Sequence, residues 1–183
     1  NFPVWGTDTC GYDTVGHPWV GHETCARWLA FSAFTPIMEV GPTHNAGLWA
    51  LPPEGEEDKV VGSGGYPYQP FYDESLIAVW ILYANLHHDL ADYLYAQVQA
   101  AHEQGTPIVR AMALMHPERA EYRDLFEQYY LGPDLVAAPI WQKGLAQKDV
   151  QIPPGEWIDA WTGAAVAAES VVTVDTPEHM IPL

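Results

Sequence analysis

The hydrophobic and polar positions along the chain divide it into three zones that differ in period. In the first zone one group of apolar side chains recurs at helical spacing, which predicts a helix over residues 22–33. The apolar stretch that follows, residues 36–40, is typical of a short buried strand. The four residues that carry the helical spacing are Trp28, Leu29, Phe31 and Phe34.

The second zone carries apolar side chains at helical spacing over about 30 positions. Asp73 or Ser75 is suited to cap the N-terminus of a helix there. Gly105 is a natural C-terminal stop, and Pro107 lies just beyond it. The pattern therefore predicts a long helix that ends near Gln104, with a break near His87 as the alternative.

The third zone changes to short apolar runs and alternating stretches. Two runs are typical of buried strands, and two later stretches alternate as in an antiparallel sheet or sandwich. A short helix is predicted between the first two runs. We therefore place a domain boundary between residues 105 and 106. The runs cover residues 107–114 and 134–140, the predicted helix covers 119–131, and the alternating stretches cover 148–161 and 169–177.

Charge and composition exclude several classes of partner. The 183 residues carry a net charge of −17 with only 7 Lys and Arg, whereas phosphates need cations. Nucleic acid and anionic membrane surfaces are therefore disfavoured, and no apolar run approaches the roughly 20 residues of a membrane span. Aromatic residues reach 13%. Aromatic faces beside carboxylates suit sugars, although a core rich in Trp explains the composition equally well.

The cysteine and histidine residues form no recognisable redox or metal-binding motif in the sequence. Cys10 and Cys25 lie outside any CxxC pattern, so we expect two buried free thiols, with a single disulfide as the alternative. The cellular compartment is therefore undecided. His88 and Asp92 share a helix face, but no third ligand has matching spacing. We expect packing and surface pairing there, and we predict neither a metal nor an organic cofactor.

Five segments, in this order, resemble glycoside hydrolase family 31, which includes α-glucosidases, α-xylosidases and their transglycosylating relatives. Each segment alone is a modest signal, but the order of all five matches the family over essentially the full length. The segments are GTDTCGY at residues 6–12, ETCARWLAFSAFTPIM at 23–38, LYANLHHDLADYLYAQVQAAHEQGTPIVR at 82–110, LGPDLVAAPI at 131–140 and VQIPPGEWIDAWTG at 150–163.

The resemblance implies a fold of class α/β plus β. Residues 1–105 are expected to hold the last strands and helices of a (β/α)8 TIM barrel, and residues 106–183 an incomplete antiparallel β-sandwich. A complete barrel takes about 250 residues, so residues 1–105 are expected to form only part of one. The family is one of retaining α-glycosidases, whose two catalytic aspartates are expected upstream of this chain. We therefore expect a carbohydrate partner, an α-glycoside, for the parent protein and no catalysis by the isolated chain.

The resemblance also implies a sugar-binding role for Asp8 and Tyr12. Asp8 is expected at the rim of the pocket, where it accepts hydrogen bonds from sugar hydroxyls or from an arginine, and Tyr12 is expected to line the −1 sugar pocket. Trp49 and Trp5 are further candidates for the wall of the site. The structural alternatives are a strand-end cap or an ion-pair acceptor for Asp8, and plain packing for the aromatic residues.

One departure from the family pattern concerns sugar specificity. Relatives usually carry a basic residue and then a histidine after the second strand, but here Glu39 and Gly41 occupy these positions. His44 lies three residues later and is a candidate for the same role from a differently shaped loop. Glu39 is expected to bind hydroxyls directly or to pair with an arginine. On the preceding helix, Glu23 and Arg27 are expected to form an i, i+4 ion pair.

Three other hypotheses compete with that of a hydrolase whose catalytic residues lie upstream of this chain. The first is a carbohydrate-binding or scaffold module without chemistry, in which aromatic side chains grip a glycan. The second is a transglycosylase of the same family. The third makes Asp8 and Glu39 a self-contained catalytic pair, which requires a carboxylate separation of about 5–10 Å.

Overall fold

The first part of the chain folds as a strand–helix–strand unit in the computed structural model, which describes residues 3–10, 21–40 and 74–183. Strand β1 (Gly6–Thr9) pairs in parallel with β2 (Ile37–Val40), and α1 (His22–Ala33) lies between them in sequence. The helix predicted for residues 22–33 and the strand after it are thereby confirmed.

A pair of consecutive helices follows in the second zone. Helix α2 spans Glu74–Asp89 and packs against α1, and α3 spans Ala91–Gln104. Leu90 separates them, three residues beyond the predicted break, yet its N–H still bonds to the carbonyl of Leu86 at 3.0 Å. Gly105 ends α3 with φ at 73°, a left-handed conformation that glycine adopts without a Cβ clash. The predicted end of the helix near Gln104 is confirmed.

The third part consists of short strands, which form three sheets among the described residues. One sheet has the antiparallel order β3–β4–β5, and the pairs β6–β9 and β7–β8 are also antiparallel. One turn of helix, α4 (Met112–Met115), follows β3. The strands are β3 (Val109–Ala111), β4 (Tyr129–Leu131), β5 (Leu135–Ala137), β6 (Gln147–Ile152), β7 (Trp157–Ile158), β8 (Ala165–Val166) and β9 (Ser170–Asp175).

The short helix predicted over residues 119–131 is mostly wrong. Only a 3₁₀ turn at Ala120–Tyr122 forms, and the last three residues of the predicted helix are strand β4. Strand β4 bonds to β3 on one edge and to β5 on the other, and it buries Tyr130 and Leu131. Hydrogen bonds to two neighbouring strands and the burial of these two side chains therefore outweigh the local helical preference.

The core is shared between the helical part and the strands that follow it. Tyr83 of α2 is fully buried, stacks edge-on against Phe34 and Trp161, and donates its hydroxyl hydrogen bond to the carbonyl of His179 at 2.8 Å. Tyr129 of β4 donates to the carbonyl of Phe34 at 2.9 Å, and burial raises the pKa of its phenol. One hydrophobic cluster therefore spans both parts.

The expectation of free thiols is wrong, because Cys10 and Cys25 form a disulfide. Cys10 follows directly after β1, and Cys25 lies in the first turns of α1, where both side chains are buried. The parallel pairing of β1 and β2 sets α1 against β1, and this packing brings the two sulfur atoms together across 15 positions of sequence. Among the helices of the described residues, none is long and apolar enough to cross a bilayer.

Candidate functional site

The two faces of the β1–β2 pair have different surroundings. The hydroxyl oxygens of Thr7 and Thr9 lie 2.9 and 2.6 Å from Oγ of Ser32 in α1, so these threonines face the helix. Because side chains alternate along a strand, Gly6 and Asp8 face the opposite side. In β2, Met38 packs against the hydrophobic core, so its neighbours along the strand face away from α1.

The structure brings Asp8 and Glu39 together on the face away from α1. They are register partners in the parallel pair, and the backbones of neighbouring strands lie about 4.8 Å apart. Both side chains are exposed. Each residue lies one position before the C-terminal end of its strand. The two carboxylates therefore point from one edge of the sheet toward the same space, as a pair of hydrogen-bond acceptors.

Trp5 stands apart from this pair. It lies two residues before Thr7 and so faces the same side of the strand. Its ring contacts that of Phe31 in α1 at a tilt of 38°, with 6.3 Å between ring centroids, so it lies on the helix side of β1. The remaining candidates, Tyr12, His44 and Trp49, lie outside the described residues. Their roles stay predictions, as does sugar binding by Asp8 and Glu39.

The predicted ion pair on α1 is confirmed and extends into the third part of the chain. Nε of Arg27 donates to Oε1 of Glu23 at 2.8 Å, and Nη2 donates to the carbonyls of Leu145 and Thr176 at 3.1 and 3.2 Å. The same Oε1 accepts the N–H of Gly144 at 2.7 Å. Sequence spacing predicts the pair but not its three distant backbone partners.

The surroundings of Glu23 favour its charged form. Burial by itself raises the pKa of this carboxyl group, because it penalises the charge. The hydrogen bonds from Gly144 and Arg27 and the charges of Arg27 and Lys143 act in the opposite direction and together outweigh burial. The pKa of Glu23 therefore lies below its ordinary value, and the pair is ionised near neutral pH.

A cleft of about 860 Å³ opens beside α1, on the side of β1 opposite to Asp8. One stripe of α1 forms its first wall, and Trp5 and Thr7 of β1 form its floor. Residues 125–129 and 139–143 form the opposite wall. At its rim Phe126 is 83% exposed and Trp141 is 68% exposed, which is unusual for large apolar side chains on a folded protein. Neither residue was singled out by the sequence, because each directly follows another apolar residue, Leu125 or Ile140, and an apolar pair of this kind is also typical of a core.

Several polar groups in the cleft walls are paired within the chain. The indole N–H of Trp28 donates to Oγ1 of Thr7 at 2.8 Å. Gln128 donates to the carbonyl of Gln151 at 2.7 Å and accepts the N–H of the same residue at 2.9 Å. The hydrogen bond from Lys148, at 3.1 Å, holds the pKa of Glu127 below its ordinary value. The cleft therefore offers mainly apolar surface.

The described residues hold no cluster of three or more His, Cys, Asp or Glu side chains that is arranged to bind a metal ion. His88 lies at the exposed end of α2, where Nδ1 is 3.8 Å from the carboxylate of Asp89. A weak surface pair of this kind leaves both groups to solvent.

Comparison with protein families and with known proteins gives a consistent result. The profile of the "Glycosyl hydrolases family 31 TIM-barrel domain" matches residues 1–97. The profile of the "Glycosyl hydrolase family 31 C-terminal domain" matches residues 105–183. Together the two profiles cover nearly the whole chain.

Individual relatives are similar over most of this chain but are much longer. The isomaltosyltransferase of Sporosarcina globispora is 29% identical over 88% of this chain, which spans 14% of that protein. The α-xylosidase of Saccharolobus solfataricus is 27% identical over 99% of this chain, which spans 22% of it. Among solved structures, a family 31 dextranase of Flavobacterium johnsoniae complexed with glucose superposes with a TM-score of 0.75 at 29% identity. That match covers 98% of this chain and 20% of the dextranase chain.

Proposed function

The chain belongs to glycoside hydrolase family 31, and from this premise we propose that it is part of an enzyme that hydrolyses α-linked glycosides with retention of configuration. The observation that carries the proposal is the side-by-side placement of Asp8 and Glu39 near the C-terminal ends of β1 and β2. In (β/α)8 barrels the active site lies at the C-terminal ends of the strands. The face away from α1 is, in such a barrel, the inner face.

We assign Asp8 and Glu39 to substrate binding rather than to bond cleavage. Retention requires one carboxylate that attacks the anomeric carbon while a second carboxylic acid protonates the departing oxygen. Water, deprotonated by the second group, then displaces the first. The family resemblance assigns both roles to aspartates on earlier barrel strands, in polypeptide outside this chain. Asp8 and Glu39 then accept hydrogen bonds from sugar hydroxyls at the same end of the barrel.

The division of the chain is part of the proposal. Residues 1–105 supply the last strands and helices of the barrel, and residues 106–183 supply part of an antiparallel β-sandwich that packs against it. The antiparallel pairing of all described strands after residue 105 supports the second assignment. Ile37 supports the first, because it lies on the same face as Glu39 and is 42% exposed, as expected of an inner-face residue whose other barrel strands lie outside the described residues.

The substrate that we propose is a neutral α-glucoside or α-glucan. Two similar proteins point to this class: one is named an isomaltosyltransferase, and the dextranase structure is complexed with glucose. A net charge of −17 disfavours polyanionic substrates. Glu39 places an acceptor where relatives usually carry a basic residue, so the preferred sugar and linkage are expected to differ from those of the α-glucosidases.

The test uses the polypeptide encoded by the complete open reading frame. We expect hydrolysis of p-nitrophenyl α-glucoside or isomaltose, with the α-anomer as first product in proton NMR spectra. Asp8→Asn and Glu39→Ala are expected to lower kcat/KM at least tenfold, whereas Asp89→Asn, at the exposed end of α2, is expected to leave it unchanged. Disaccharide products at high substrate concentration identify transglycosylation instead.

Two outcomes decide against the proposal. Glycan binding without turnover by the complete polypeptide, unaffected by Asp8→Asn, makes the protein a binding module. Hydrolysis by the 183-residue chain alone, abolished by either Asp8→Asn or Glu39→Ala, makes these two residues the catalytic pair.

A further inference from the structure

The cleft beside α1 adjoins an unpaired strand edge. Strand β1 pairs with β2 on one side, and no described strand pairs with its other side. Trp5 and Thr7 of the β1 segment line the cleft, which therefore lies on the same side of the sheet as α1. Helix α1 packs against α2, and the cleft lies along its stripe of residues 23, 24, 27, 28 and 31. This stripe is one helix face, since residues three and four apart lie above one another.

Strand connectivity restricts what covers this face. A helix that joins neighbouring parallel strands lies on one side of the sheet, because such crossovers are right-handed in nearly all proteins. The unit β1–α1–β2 puts its helix on the cleft side of the sheet. Consider a further parallel strand that pairs with the free edge of β1 and connects to β1 through a helix. A right-handed connection places that helix beside α1, on the same side of the sheet, and this position is the cleft.

The chemistry of the lining favours polypeptide over sugar. A volume of about 860 Å³ accommodates either occupant, so it does not decide the question. The wall groups Trp28, Glu23 and Gln128 already have hydrogen-bond partners within the chain. The side chains of Thr24, Gln142 and Lys143 are then the main polar groups left for a hydroxyl-rich ligand, in a lining that is mostly apolar. The aromatic side chains at the rim match an apolar helix face instead.

We propose that the cleft receives the apolar face of the α-helix that immediately precedes β1 in the complete polypeptide. The proposal rests on the proposed function, which requires further barrel strands outside this chain. The helix packs on α1 with one flank and on residues 125–129 and 139–143 with the other. It buries Phe126 and Trp141 and thereby joins the barrel to the C-terminal domain. The specific claim is this contact with the C-terminal domain.

Cysteine labelling of the complete polypeptide tests the claim. Ala111 lines the cleft and is exposed in this chain, and Ala96 is exposed on α3, away from the cleft. In Ala111→Cys, N-ethylmaleimide is expected to react at least tenfold more slowly in the native polypeptide than in guanidinium chloride, whereas the rate for Ala96→Cys is expected to change less than threefold. Cys10 and Cys25 do not compete, because they form a disulfide.

A photo-crosslink identifies the occupant. With p-benzoylphenylalanine in place of Phe126, mass spectrometry is expected to locate the crosslink within the roughly 30 residues before residue 1. A crosslink elsewhere, or free labelling of Ala111→Cys in an enzyme that retains activity, overturns this inference and leaves the proposed function standing. If Ala111→Cys is protected from N-ethylmaleimide in the 183-residue chain alone and the protection is lost on dilution, a second copy covers the cleft. If the protection appears only when isomaltotriose is added, the cleft is a sugar site. Either result overturns it.

Discussion

Arg27 and Glu23 form a buried ion pair whose Nε and Oε1 atoms are 2.8 Å apart, with side chains that are 7% and 10% exposed. The pair connects α1 to backbone groups at residues 144, 145 and 176. A pair that sequence spacing assigns to one helix therefore joins the two parts of the chain.

Removal of the cation leaves the anion buried and unpaired. We expect Arg27→Met to lower the free energy of unfolding by about 3 kcal/mol, the usual order for breaking a buried pair from one side. Guanidinium chloride denaturation followed by tryptophan fluorescence measures the change. Arg119→Met removes a partly exposed pair with Glu169, whose side chains are 25% and 57% exposed, and serves as the control, for which a much smaller change is expected. Equal midpoints for the two variants contradict the prediction.

The same pair predicts a loss of stability in acid. Because the folded pKa of Glu23 lies below the ordinary value of 4.5, ionisation stabilises the fold above about pH 4.5, and this contribution is lost as the pH falls through the lower folded value. Thermal unfolding between pH 7 and pH 3 is expected to show a smaller decline in Tm for Glu23→Gln than for the natural sequence. Parallel Tm curves for the two proteins count against the argument.

The disulfide between Cys10 and Cys25 closes a loop across a sequence separation of 15. A cross-link over a loop of this size stabilises by about 3 kcal/mol when it restricts the unfolded chain. We expect the double variant Cys10→Ser, Cys25→Ser to lose about that much in denaturant titrations. Thiol titration of the unfolded natural chain is expected to find no free thiol before reduction. Detection of two thiols at that stage refutes the bond.

Gly132 combines a left-handed backbone with a close neighbour. Its φ is 62°, and a Cβ at this position overlaps the hydroxyl of Tyr93, which donates to the carbonyl of Leu131. Gly163 has a similar φ of 70° with open space around it. We expect Gly163→Ala to cost about 1 kcal/mol from backbone strain alone, and Gly132→Ala to cost about 2 kcal/mol more through overpacking. Urea denaturation of both variants measures the difference, and equal costs contradict the contact.

Features that depend on neighbouring residues were predictable. The helix at His22–Ala33, the strand after it, the end of α3 before Gly105 and the Glu23–Arg27 pair follow from spacing of four residues or fewer or from the conformational freedom of glycine. The five ordered segments likewise identified the family. Their order is a property of the sequence and does not depend on the tertiary structure.

Features that depend on distant residues were decided only by the tertiary structure. Strand β4 forms because β3 and β5 flank it, and the two cysteines meet because α1 packs on β1. The partners of Arg27 lie 118 and 149 positions away. The cleft exists because two surfaces, separate in sequence, face each other across α1. Local periodicity records which face of an element is apolar, but the element that covers this face is selected by chain topology and by burial of the whole core.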